Sequence, residues 1–278
     1  MIVSVANQKG GVGKTTTTLA LGSALADRGQ RVLLVDLDPQ ASLTSAAGLE
    51  PDDLENTLYS AIADYLKDRD AVDLGSIRRS LGDRLDLLPS NIELSVIELE
   101  LQTAVRREYV IAEILDSLRN AYDTVLIDCP PSLSLLTLNA LTAADQVIIP
   151  LVPEYLAARG IGLLLDSIKR VRKARLNPSL AIAGVILTMT DQRTTHGREI
   201  TERVQMHLNG QAPILGEVKR TIKVAESAAA GLPITHYAAQ SETSLAYGRI
   251  ADTLLRNWKW AASVADGSRV AISEAMSD

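Results

Sequence analysis

Lys9-Gly10-Gly11-Val12-Gly13-Lys14-Thr15-Thr16 concentrates glycines, lysines and hydroxyls in one short run. Glycines there let backbone N–H groups come close to an anion, and a lysine among them neutralises phosphate oxygens. The run follows the β-branched segment Ile2-Val3-Ser4-Val5-Ala6 and precedes an Ala- and Leu-rich stretch that ends near Gly29. Strand, glycine loop and helix in that order make a phosphate cradle, because the helix N-terminus adds its own N–H groups and partial positive charge. The chemistry implied is a grip on the phosphates of a magnesium nucleotide. Lys14 would neutralise the β and γ oxygens, and the Thr15 hydroxyl would reach Mg²⁺. The usual pattern G-x-x-x-x-G-K-[ST] opens on glycine, whereas this chain has Gln8 at that place.

Carboxylates recur at the ends of two other aliphatic runs. Asp36 and Asp38 close the run Arg31–Asp36 and the turn after it, and Asp128 closes Thr124-Val125-Leu126-Ile127. Ligands of open α/β sheets collect outside the carboxyl ends of the strands. An acid there can hold a magnesium-bound water or orient the water that attacks a phosphate.

These residues need a scaffold that brings strand ends to one edge. Short apolar runs at Ile2–Ala6, Arg31–Asp36, Thr124–Asp128, Gln146–Pro150 and Ala181–Leu187 alternate with helical patterns at Thr15–Arg28, Ile111–Asn120, Leu133–Ala143 and Ile161–Ala174. Alternation of this kind predicts a mostly parallel twisted sheet with helices on both faces, an α/β architecture. One domain is expected over residues 1–257, with a helical insertion at about 51–91 and a C-terminal tail over 258–278 that turns polar after Trp258.

Composition narrows the partners. The 278 residues are 46% hydrophobic but only 3% aromatic, with no Phe, so the core must be aliphatic. A formal charge of −6 repels polyanions overall, so any nucleic-acid contact must be local. The single Cys129 excludes an internal disulfide and a four-cysteine metal site within one chain, which suits a reducing cytosol. His196, His207 and His236 have no spacing that suggests a metal or a catalytic triad. No apolar run reaches the length of a spanning helix, and nothing at the N-terminus reads as a secretory signal. The chain is expected to be cytoplasmic.

Four ordered motifs then carry a resemblance: Asn7 through Thr16, Asp36-Leu37-Asp38-Pro39-Gln40, Ile127-Asp128-Cys129-Pro130-Pro131, and Thr188-Met189 with Asp191. Over about residues 1 to 256 the chain resembles the ParA-type partition ATPases of the ParA/Soj/MinD superfamily, whose deviant Walker A loop carries an additional lysine, here Lys9. The resemblance implies an ATP-sandwiched homodimer in which Lys9 reaches the partner's phosphates. It also implies Asp38 as the water-orienting acid, and Asp36 and Asp128 near magnesium. Thr188–Asp191, including Met189, and Val218–Arg220 would lie at the base of ATP. Lys219, Arg220 and Lys223 would bind DNA without sequence preference, and a ParB-type centromere-binding protein would stimulate hydrolysis. The chain would thus associate with the nucleoid and segregate a chromosome or plasmid. Other cargoes moved on the nucleoid and a membrane-cycling division-site regulator are the alternatives.

Two further features bear on those alternatives. A second basic cluster, Lys169, Arg170, Arg172, Lys173 and Arg175, crowds one helix end, where it suits the helix dipole. Trp258-Lys259-Trp260 invites a membrane reading, but the residues after it lack the Lys/Arg face that an anionic bilayer attracts, so membrane targeting is not expected. The chain starts at its first strand, so no helix-turn-helix extension is expected.

Overall fold

A computed structural model describes residues 1–154, 157–191, 199, 202, 204, 206, 208 and 212–275. His196 and His207 lie outside them, as does the end of the chain from residue 276. Strands β1 (Ile2–Val5), β2 (Val32–Asp36), β3 (Arg79–Gly82), β4 (Leu85–Leu88), β5 (Thr124–Asp128), β6 (Gln146–Leu151), β7 (Ala181–Thr190) and β8 (Ile214–Lys219) form one sheet. Their order is β3-β4-β2-β5-β1-β6-β7-β8. Every neighbouring pair is parallel except β3 with β4.

The central strands are apolar on both faces because both faces are covered. On one side α1 (Lys14–Ala26) and the last helix, α11 (Glu242–Ala275), enclose Leu21, Leu25, Leu34, Leu126 and Tyr247. On the other, α3 (Leu58–Lys67), α5 (Leu94–Leu101), α6 (Val110–Asp116), α7 (Leu135–Ala143) and α8 (Ala157–Lys173) pack over Leu33, Val35, Val125 and Ile127. Alternate residues of β2 and β5 thus serve opposite cores, as a pleated strand requires. Aliphatic side chains dominate both, with Tyr65 and Tyr122 in one and Tyr247 in the other.

Two stretches differ from the expected organisation. Residues 51–91 contribute α3 and the short α4 (Leu74–Ile77), and also β3 and β4, with β4 parallel to β2 and Leu87 and Leu88 fully buried. The stretch therefore extends the sheet. Asp86 interrupts the apolar alternation there, but its carboxylate accepts from Tyr122 Oη at 2.6 Å, which satisfies it at the sheet face. The polar C-terminal stretch continues α11 in one helix past Trp258 to Ala275, and Trp258 Nε1 donates to Gln146 Oε1 at 2.9 Å.

Candidate functional site: a phosphate cradle between three strand ends

The site lies at the carboxyl ends of β1, β2 and β5, which the register places side by side: Val5 aligns with Asp128, and Asp128 with Asp36. From β1 the chain turns through the glycine loop and enters α1 at Lys14. Gly11 and Gly13 have φ of 71° and 83°, values that L side chains rarely adopt, so glycine is required for that turn. Thr188 on β7 braces the loop by donating from Oγ1 to the Val12 carbonyl at 2.8 Å.

The two lysines of the loop have opposite placements. Lys14 is buried, donates to the Lys9 carbonyl at 3.3 Å, and is held below the ordinary lysine range by burial, against the opposing charge of Asp128. Lys9 is exposed and its Nζ pairs with Glu154, just beyond β6. Asn7 anchors the loop start by donating to the Pro150 carbonyl at 2.7 Å and accepting from Lys9 N at 3.0 Å. Gln8, in the place of the usual glycine, donates to Ser167 Oγ of α8 at 3.3 Å.

Asp128 is fully buried at the mouth of this loop. Its Oδ2 accepts from Thr15 Oγ1 at 2.7 Å and its Oδ1 from Thr18 Oγ1 at 3.3 Å. Burial pushes its carboxyl up to about 8, with the Asp36 charge adding to the rise and Thr15 and Lys14 opposing it. A cation at Thr15 and Asp128 would remove that penalty. The pair offers hard oxygen donors beside a phosphate cradle, which fits Mg²⁺ shared with nucleotide oxygens. No group of three or more His, Cys, Asp and Glu side chains among the described residues could hold a metal unaided. Cys129, next in sequence, is a buried thiol pushed up by burial, so it is inert.

Asp36 is held by the loop that follows β2. Its Oδ2 accepts from Thr44 N at 2.8 Å and Thr44 Oγ1 at 2.7 Å, and its Oδ1 from Asp38 N at 3.3 Å. Burial raises its carboxyl to about 6, while the Thr44 bonds oppose the shift. Both oxygens thus shape the loop that carries Asp38. Ser90, just past β4, donates to Thr44 Oγ1 from its N–H at 2.9 Å and to the Asp38 carbonyl from its hydroxyl at 2.8 Å. Asp38 itself is half-buried, and its Oδ1 accepts from Gln40 N at 3.0 Å.

The far side of the loop opens into a cavity of about 390 Å³ lined by Gly13, Thr16, Met189, Val218 and Arg220. Its walls come from the ends of β7 and β8, from Gly13 and Thr16 at the start of α1, and from Val224, Ala225 and Tyr247. Met189 takes a left-handed φ of 52°, unusual for a side chain of its size. An adjoining cavity of about 600 Å³ is lined by Asp191, Lys219, Arg220, Lys223 and Glu242. Lys219 Nζ pairs with Glu242 at 2.9 Å, whereas Arg220 and Lys223 are exposed at its rim. The other basic cluster sits apart, at the end of α8 that leads toward the start of β7. There Arg172 donates to the Leu180 carbonyl and Lys169 pairs with Asp166.

Sequence reasoning missed Glu154, Thr18, Thr44 and Ser90. Thr18 could have been found, since it lies one helical turn after Lys14 on the face toward Asp128. Thr44 and Ser90 carry no local signal, because Thr44 reaches Asp36 only when the chain after β2 folds back, and Ser90 reaches the same loop only because β4 lies beside β2.

The family model described as an AAA domain matches residues 1–182. The chain is 40% identical over 256 residues to the sporulation initiation inhibitor protein Soj of Bacillus subtilis, covering 92% of this chain and 98% of Soj. It is also 40% identical over 252 residues to the chromosome partitioning protein ParA of Caulobacter vibrioides, covering 90% and 92%. Among solved structures it is similar to one titled cobyrinic acid a,c-diamide synthase from Mycobacterium smegmatis, with bound ATP analog and magnesium. That structure superposes with a TM-score of 0.79 at 39% identity, covering 93% of this chain and 95% of the other.

Proposed function

The chain belongs to the ParA/Soj/MinD family of P-loop ATPases, and from that premise we propose that it is a magnesium-dependent partition ATPase that cycles between a monomer and an ATP-sandwiched dimer on DNA. The dimer binds nonspecific DNA of the nucleoid, and a ParB-type centromere-binding protein resets it by stimulating hydrolysis.

The observation that carries this reading is the divergence of the two loop lysines. Lys14 is buried inside its own cradle, while Lys9 stands exposed outside it, with a surface carboxylate as its partner. An exposed loop cation turned away from its own cradle supports a role on the phosphates of a facing copy, and exchanging Glu154 for phosphate oxygens would cost little, since exposed ion pairs are worth about 0–1 kcal/mol. Thr15 and Asp128 would hold Mg²⁺, which supplies charge neutralisation across the β and γ phosphates. Asp38, steered by Asp36 and Ser90, orients the attacking water. Lys219, Arg220 and Lys223 gather at one rim, and a two-fold dimer brings two such rims to one duplex.

The test is DNA binding by fluorescence anisotropy over a salt series, with ATP, with ADP and without nucleotide. If about six phosphates are contacted, log affinity falls against log salt with a slope near −5 in the ATP state alone. Arg220→Ala should weaken binding to all sequences alike and make that slope shallower. Equal binding in the three states, or a flat salt response with ATP, would overturn the reading.

A further inference from the structure

Lys169, Arg170, Arg172, Lys173 and Arg175, at the end of α8 and in the turn after it, are all exposed. From Ser167 to Thr190 the chain has no Asp or Glu, although its overall charge is −6. A helix C-terminus is equivalent to about half a negative charge, so one cation in the last turn satisfies it and this cluster overshoots. Lys169 and Lys173 also stand at i and i+4, where like charges repel. Among the described residues Lys169 pairs with Asp166 at 3.4 Å and Arg172 donates to the Leu180 carbonyl at 2.7 Å, while Arg170, Lys173 and Arg175 form no ion pair. The helix end thus holds charge that its own stability does not call for.

The corner that presents these cations is well anchored. Arg175 takes a left-handed φ of 59°, its carbonyl accepts from Tyr109 Oη at 3.5 Å, and Asn177 Nδ2 donates to the carbonyls of Leu141, Thr142 and Ala144. Because α8 leaves the carboxyl end of β6 and delivers the chain to the start of β7, the cluster lies at the amino edge of the sheet. The rim of Lys219, Arg220 and Lys223 lies at the other edge, with the length of β7 between them, about 30 Å at 3.3 Å per residue. A dimer that closes over the nucleotide edge leaves the amino edge uncovered.

The surroundings of the cations say what they meet. Val171 and Leu180 are buried and Leu176 is half-buried, so no large apolar side chain stands exposed between Lys169 and Leu180. A protein or bilayer partner needs an apolar anchor, whereas a nucleic-acid backbone is held by lysine and arginine alone. Arginine, whose planar fork matches phosphate, supplies Arg170, Arg172 and Arg175.

We propose that the end of α8 is a second contact site for the phosphate backbone, on the edge of the sheet opposite the nucleotide, and that the ATP-bound protein bridges two duplexes through it. The segment from Lys169 to Arg175 spans about 9 Å, which faces about two to three phosphates of one strand. So few contacts hold a duplex weakly, and the site acts once the rim has brought the protein onto DNA. One duplex does not serve both edges, because bending it around about 30 Å of protein works against a persistence length of about 150 bp. The bridging rests on the DNA reading of the rim given above.

The experiment uses the full chain with Mg-ATP, a biotinylated duplex on beads and a fluorescent duplex of unrelated sequence, and measures the fluorescent DNA that the protein retains. Anisotropy on a single duplex runs beside it. Arg170→Gln with Lys173→Gln removes two cations, and Arg170→Lys with Lys173→Arg preserves the charge; far-UV circular dichroism and ATP turnover verify both folds. The parent and the charge-preserving variant should retain the second duplex alike. The glutamine variant should bind a single duplex within about twofold of the parent, with the same salt slope, and retain at least tenfold less of the second. Three results would overturn the proposal: a parent that binds one duplex and retains no second, a glutamine variant that retains as much as the parent, or one that loses single-duplex binding as well. Flotation with anionic phospholipid vesicles that the glutamine variant abolishes, without retention of a second duplex by the parent, would give the site to a membrane instead. A parent that binds no duplex at all would sink the rim reading and the bridging together, and so is distinct from those outcomes.

Discussion

Asp128→Asn should change how stability responds to pH, and the structure sets both sign and size. The Asp128 carboxyl is pushed up to about 8 by burial, and that of Asp36 to about 6. In an unfolded chain both titrate at the ordinary aspartate value near 3.9. Between pH 6 and 8 the folded protein therefore holds on the order of one proton, on Asp128, that the unfolded chain has released. A fold that binds more protons loses stability as pH rises, at about 1.4 kcal/mol per pH unit for one proton. The nucleotide-free, magnesium-free protein should thus lose about 2–3 kcal/mol between pH 6 and 8.

Urea unfolding at pH 6, 7 and 8 measures this directly. Asparagine keeps an acceptor for Thr15 and cannot ionise, so the variant's stability should be nearly level over the same window and exceed the parent's at pH 8. Adding Mg-ADP to the parent should remove its slope, because a cation beside Thr15 and Asp128 favours the ionised carboxylate. A parent that is level or gains stability between pH 6 and 8, with the variant running parallel, would refute the assignment of a neutral buried acid.

Asp38→Ala should keep nucleotide affinity within about threefold but lose turnover by a hundredfold or more, about 2.7 kcal/mol of barrier, and accumulate an ATP dimer on sizing chromatography; near-normal turnover would remove Asp38 from the mechanism. Lys14→Ala should lose most nucleotide affinity, whereas Lys9→Ala should bind nucleotide and fail to dimerise, with isothermal titration and light scattering as the two readouts. Gly231→Ala would put a Cβ 2.5 Å from Gly48 Cα at a φ of 65°. A left-handed alanine and a backbone clash together should cost about 2–4 kcal/mol, read as a lower urea midpoint with no change in slope.

How far the sequence discloses this site follows from which contacts are local. The glycine loop is legible because cradle, lysine and hydroxyl are consecutive, and the conformations of Gly11 and Gly13 leave little choice of residue. Asp128 and Asp36 are legible as strand ends, since an aliphatic run that stops on an acid marks the point where a buried parallel strand reaches the sheet edge. What the acids do is not legible. Asp36 spends both oxygens on Thr44 and Asp38, and that depends on α2 (Ser42–Ala46) folding back over β2. Ser90 reaches the same loop only because β4 lies beside β2, and β4 hides behind Asp86, whose partner Tyr122 is distant in sequence. The same holds for Glu154, whose only mark is to stand where β6 delivers it, opposite Lys9. Residues of the glycine loop can therefore be read in order along the sequence, whereas those that face outward become visible only once the sheet has ordered its strand ends.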